Sequence, residues 1–113
     1  MRISVIAVMV AAGVPATAYA ADRTASADIL RGNYVQAERV LTTERRIFPA
    51  RPELMLNLAA VYRNTGRERD AQALYADVLR RPDVLMDMPD QRIVSSHALA
   101  QAGLQRAAQL ASR

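Results

Sequence analysis

Apolar residues return at helical spacing in four stretches of this chain, and polar residues fill the positions between them. Leu54, Leu58, Val61 and Tyr62 recur every three or four positions and predict a helix that opens at Pro52. Proline suits the first helical position, and Glu53 faces the positive end of the helix dipole. Gly66 is placed to end that helix in a left-handed conformation. Ala71, Leu74, Tyr75 and Val78 then mark a second helix that Pro82 closes. Upstream, Ala37, Val40, Leu41 and Phe48 predict a helix from Tyr34 to about Ile47, with Asn33 as its N-cap. Between Asp22 and Gly32 there is room for only a short helix, whose apolar contribution is Ala27, Leu30 and Ile29. At the C-terminal end Leu99, Leu104, Ala107, Leu110 and Ala111 give one apolar side to a helix capped by Ser95, Ser96 or Asp90, and Gln101, Gln105, Arg106 and Gln109 form its polar back. Asp83 to Asp90 shows no such period and reads as a turn-rich linker whose Val84, Leu85, Met86 and Met88 fold back on the last helix. The expected class is all-α.

The pattern repeats. Gly32, Ala37 and Leu41 recur as Gly66, Ala71 and Tyr75, each 34 residues later, and Pro49 and Pro82 close the two units. The segment from Pro52 to Pro82 resembles the tetratricopeptide repeat on Met55, Leu58, Ala59 and Tyr62 of its first helix and Ala71, Tyr75, Val78 and Pro82 around its second. It departs in having Met55 where the family usually has Trp, Ala59 for Gly and Val78 for Ala, none of which changes the packing class. The resemblance implies antiparallel helical hairpins, about one and a half repeats, with residues 83–113 as linker and capping helix. Small Ala59 and Ala71 would let paired helices approach while Tyr62 and Tyr75 fill the space beside them. A polar-backed last helix is what a repeat array needs to cover its final face.

The apolar run at the start has a different character. Arg2 is followed by an apolar stretch from Ile3 to Val14, a break at Pro15, and Ala18-Tyr19-Ala20 with small residues where a signal peptidase requires them. Residues 1–20 are therefore expected to be a secretory signal peptide cut after Ala20, leaving repeats over 21–82 and a periplasmic or secreted protein. Ser4, Gly13, Pro15 and Thr17 interrupt the run too often for a spanning helix. All 15 basic residues are arginine, a bias in keeping with a GC-rich bacterial genome.

Composition restricts the chemistry. With 113 residues, 51% of them hydrophobic, the chain is a single folded domain with a small core. It contains no Cys, which removes disulfides, thiolate metal sites and Cys nucleophiles. His97 is the only histidine, and its adjacency to Ser95 and Ser96 does not make a catalytic pairing. Asp83, Asp87 and Asp90 lack the glycine and polar spacing of a calcium loop. No catalytic residue, metal or cofactor is expected, and the chain reads as a non-enzyme. A formal charge of +4, falling to +3 without Arg2, and few aromatics argue against nucleic acid. Arg45-Arg46 and Arg80-Arg81 complement helix C-terminal dipoles, and their alternative role is contact with an anionic partner such as a phospholipid surface.

What remains is binding. Tetratricopeptide repeats generally bind peptide segments on a concave face formed by their first helices, and the resemblance places Glu53, Leu56, Asn57, Ala60, Arg63 and Asn64 on that face. This implies a scaffold or adaptor with a protein partner. The alternative is a self-associating envelope component, a homodimer in its simplest form, because a short array leaves faces that a neighbour would extend.

Overall fold

A computed structural model describes residues 25–88 and 91–112 of the chain. The expected signal peptide and its cleavage site lie outside the described residues. Among those residues the chain forms α1 (25–30), α2 (Tyr34–Ile47), α3 (Pro52–Asn64), α4 (Glu68–Leu79), β1 (Leu85–Asp87), β2 (Ile93–Ser95) and α5 (Ser96–Ala111). The fold is mostly helical with one two-stranded antiparallel sheet.

Two glycines set the corners. Gly32 and Gly66 have φ of +77° and +80°, a region open to glycine at little cost. Each corner carries the same pair of bonds. Asn33 N–H donates to Asp28 O (2.8 Å) and Gly32 N–H to Ile29 O (3.0 Å); Arg67 N–H donates to Tyr62 O (2.8 Å) and Gly66 N–H to Arg63 O (3.5 Å). This is a Schellman closure, which satisfies the last carbonyls of α1 and α3 alike. The two corners, 34 residues apart, thus share backbone geometry. Pro52 occupies the start of α3, where its missing N–H costs nothing. Asn33 stands at the N-cap of α2, but its side chain makes no capping bond there.

The core is built around α3, which packs most extensively on α4 and then on α2. Nine consecutive residues of α3, Glu53 to Val61, are buried. Ala37 and Leu41 of α2, Ala71, Leu74, Tyr75 and Val78 of α4, and Ala59 on α3 join the same cluster. On α1 the core contributors are Ala25 and Ile29, one turn apart, whereas Leu30 is 64% exposed and Ala27 half-buried. Of the three residues expected on the inner side, Ile29 is buried, whereas Leu30 faces out on a helix too short to show its own period.

Residues 83–95 correct the all-α expectation. Leu85 pairs with Ser95, Met86 with Val94 and Asp87 with Ile93. Alternation along the strand turns Met86 into the core and leaves Leu85 and Asp87 outside. The segment expected to be a linker is the first strand of this hairpin, and it leads directly into α5. Ser96 is fully buried; its hydroxyl accepts from Val84 N–H (3.0 Å) and donates to Asp83 (3.2 Å), while its own N–H donates to Val84 O (2.8 Å). Ser95 caps α5 by accepting from Ala98 N–H at 2.9 Å. Asp83 adds a second acceptor at this helix start, taking the His97 N–H at 3.1 Å. That backbone hydrogen bond, reinforced by the hydroxyls of Ser96 and Ser95, holds the Asp83 carboxyl below its usual range.

The seam of α5 also differs from its expected apolar side. Its buried residues are Ser96, Ala100, Gly103 and Ala107; Leu99 and Leu104 are half-buried, and Leu110 and Ala111 are exposed. Gly103 decides this. A Cβ on Gly103 would fall on the Tyr75 ring, 2.5 Å from Cε2 and 2.7 Å from Cε1, and on Cζ as well. Tyr75, 1% exposed, is thus laid flat against the bare backbone of α5, which draws α5 onto α4 along a stripe of small residues. Gln101, Gln105 and Gln109 face outward.

Candidate functional site

Two faces of α3 bear polar groups with possible roles, and they lie on opposite sides of the helix. At about 100° per residue, positions 56, 60 and 63 stand roughly 180° around from 58 and 62.

The first face holds the six residues that the repeat resemblance singles out. Glu53, Leu56, Asn57 and Ala60 are all buried, and Arg63 and Asn64 are half-buried. The face is therefore closed in the folded chain. Arg51 Nε lies 3.8 Å from a Glu53 carboxylate oxygen, pairing the buried acid. Asn64 turns back on its own helix, donating to Ala60 O at 2.7 Å, so its amide N–H is engaged locally. Asn57 differs from both. It is fully buried, and among the described residues neither its amide nitrogen nor its oxygen has a hydrogen-bond partner. An unmatched buried amide costs on the order of 1–3 kcal/mol.

The second face opens between α2 and α4. Ion pairs tie these helices together at two places. Arg67 forms a bidentate pair with Glu38 (3.0 Å and 2.5 Å), and Arg45 reaches Asp77 at 3.5 Å. The Arg67 hydrogen bonds hold the Glu38 carboxyl low and raise Arg67 in return. Arg67 also lies over the Tyr62 ring at 4.4 Å, and burial pushes the Tyr62 phenol up. Asp77 is a hub that receives Arg80 (3.1 Å) and Arg81 (3.6 Å) as well as Arg45. Arg46 has no ion-pair or hydrogen-bond partner among the described residues.

Beside these pairs lie two adjoining cavities. One, of about 240 Å³, is lined by Pro49, Leu58 and Tyr62 and by Thr42, Arg45 and Arg46. The other, of about 420 Å³, runs past Tyr62 and Leu74 to Asp77 and Arg80 and also touches Asp70. Arg45 and Tyr62 belong to both. Sequence reasoning had singled out the two arginine pairs but not the Asp77 hub. The spacing of Asp77 to Arg80 and Arg81 on one helix was a readable signal; its pairing with Arg45, 32 residues earlier, was not.

His97 sits at the α4–α5 junction with Nε2 2.6 Å from the Arg81 carbonyl oxygen. Among the described residues no group of three or more His, Cys, Asp or Glu side chains is arranged to hold a metal ion, and no helix is long and apolar enough to cross a membrane. No protein-family model matches the chain, and no curated protein or solved structure matches it.

Proposed function

We propose that the chain is an exported tetratricopeptide-type interaction module, a scaffold or adaptor that binds a peptide segment of a protein partner on the Asn57 face of α3. The repeat reading is supported by the paired Schellman corners at Gly32 and Gly66 and by the buried Ala59, Ala71 and Tyr75 at the small and aromatic positions of the pattern. The observation that carries the binding reading is Asn57. A leucine there would pack as well and cost nothing in lost hydrogen bonds, so an amide with both polar atoms unmatched among the described residues carries a penalty. A peptide backbone offers the complementary donor and acceptor for one amide side chain. Because the face is closed, binding must be coupled to an opening of it, and the unmatched amide lowers the cost of that opening.

The test is selection from a displayed random peptide library against the full chain and its Asn57→Leu variant. The expected result is a set of peptides that binds wild type and loses affinity for the variant, while the variant melts at a higher temperature. Peptides that bind both equally, or no enrichment at all, would overturn the reading. The exported address is tested separately by N-terminal mass spectrometry of the protein from its native host, where a mature chain starting at Ala21 is expected.

The α1–α2 corner favours a second reading, self-association, because Leu30 and Val35 are 64% and 72% exposed there. Light scattering at micromolar concentration distinguishes it: a dimer mass that reverts to monomer with Val35→Glu supports it, and a purely monomeric mass removes it.

A further inference from the structure

The groove between α2 and α4 carries chemistry that the Asn57 face does not use. We propose that it is a second binding surface, specific for an acidic peptide segment of a partner in which apolar side chains alternate with carboxylates. Three observations lead there. First, charge is in excess: Arg45, Arg46 and Arg80 line the groove against Asp70 and Asp77, and Asp77 is already shared by Arg45, Arg80 and, from outside the groove lining, Arg81. A carboxylate already divided among three guanidiniums leaves most of their donors unengaged, and among the described residues the buried Nε of Arg45, which lines both cavities, has no hydrogen-bond partner. Second, the smaller cavity contains no acid. It is lined by Thr42, Arg45 and Arg46 of α2 together with apolar Pro49, Leu58 and Tyr62, so it accepts an apolar side chain with a carboxylate beside it. Third, the cavities adjoin. A segment crossing the shared Arg45–Tyr62 wall meets a further arginine, Arg80, in the larger cavity, which calls for a chain that continues in both directions. A flat anionic surface such as a membrane would meet the arginines but leave the apolar lining uncovered, so the shape favours the peptide.

The experiment uses the full chain and a fluorescein-labelled peptide, Leu-Glu-Leu-Glu-Leu-Glu, read by fluorescence anisotropy, with the glutamines-for-glutamates peptide as the neutral comparison. Arg46 makes no ion pair or hydrogen bond among the described residues, so Arg46→Glu gives up only a favourable charge at the C-terminal end of α2, and the variant should keep the wild-type fold by circular dichroism. Arg46→Gln is the milder second variant. Gln101→Glu with Gln105→Glu makes the same change in net charge on the exposed side of α5 and serves as control. The acidic peptide is expected to bind saturably, to lose about tenfold or more in affinity with Arg46→Glu, and to stay within about twofold with the α5 control, as loss of one charge-assisted contact requires. The neutral peptide should bind at least about tenfold more weakly to wild type. No saturable binding at millimolar peptide, equal losses in variant and control, or tighter binding to phosphatidylglycerol vesicles than to the peptide would each overturn the proposal.

Discussion

Replacing Gly103 by alanine tests the contact that closes this fold. Alanine is the better helix former by about 1 kcal/mol, so on an unconstrained face of α5 the substitution would stabilise. Here the new methyl group would stand 2.5 Å from Tyr75 Cε2, whereas carbon atoms in favourable contact are about 3.5–4.0 Å apart. Relief requires a displacement of about 1 Å. The Tyr75 ring is 1% exposed and packed in the core formed with α3, so it cannot swing into solvent, and α5 itself must lift. Overpacking of this kind costs about 1–3 kcal/mol, and the buried, flat-on geometry belongs at the upper end. Net of propensity, Gly103→Ala should lose about 2 kcal/mol, a fall in Tm of roughly 10 °C for a domain of this size. The sign must invert when the ring is removed. In a Tyr75→Leu background the same alanine is expected to stabilise by about 1 kcal/mol, giving a coupling of about 3 kcal/mol by urea denaturation of the four proteins. An alanine that changes stability equally in both backgrounds would show that the ring and Gly103 do not meet.

Three further outcomes follow from the same packing and capping. Ala71 is fully buried where α4 meets α3, so Ala71→Leu should lose about 1–3 kcal/mol in a thermal melt. Ser95→Ala removes the acceptor for Ala98 N–H and should cost about 1 kcal/mol, read by urea denaturation. Glu38 and Asp83 both have carboxyls held below their ordinary values in the folded chain, so they contribute stability that is present above the ordinary carboxylate pKa and is lost as pH falls through the folded one. The Tm is therefore expected to stay nearly level from pH 7 to about 5 and to fall below about pH 4, with a shallower acid limb in Asp83→Asn. A variant whose acid limb matches wild type would remove Asp83 from that account.

The helices that could be read from the chain are those with enough residues to display a period. The expected span of α2, Tyr34 to Ile47, is the observed one, and the apolar positions Leu54, Leu58, Val61, Ala71, Leu74, Tyr75 and Val78 are all in the core. Glycine and proline at the ends of α3 were legible because each imposes a backbone geometry that few other residues accept. Where the period fails, so does the reading. A three-residue strand such as Leu85–Asp87 shows its alternation only through which residue is buried, and exposed Leu85 masks it in the sequence. The α5 seam was obscured for a different reason. Hydrophobicity ranks Leu104 and Leu110 above Gly103, yet a close approach to Tyr75 selects the absence of a side chain. Likewise, the resemblance assigned Asn57 and Glu53 to a binding face, but a repeat pattern contains no term for whether that face is covered.

Covering that face changes what its polar residues mean. On an open helix Asn57 would be hydrated and its amide would carry no information about ligands. Buried with both polar atoms unmatched among the described residues, it withholds on the order of 1–3 kcal/mol from a domain whose whole stability is expected to lie near 5–15 kcal/mol. The arginines of the α2–α4 groove are in the reverse position: they stand at the surface, their ion pairs are partly solvated, and each contributes little to folding. The two faces of α3 therefore separate cleanly under mutation. Asn57→Leu should raise stability at the expense of binding on its own face, whereas Arg46→Glu should lower stability by no more than about 1 kcal/mol, through the lost charge at the end of α2, and affect only the acidic ligand. A ligand whose affinity falls with both substitutions would have to span α3 from one side to the other, which the nine buried residues of that helix do not allow without unfolding it.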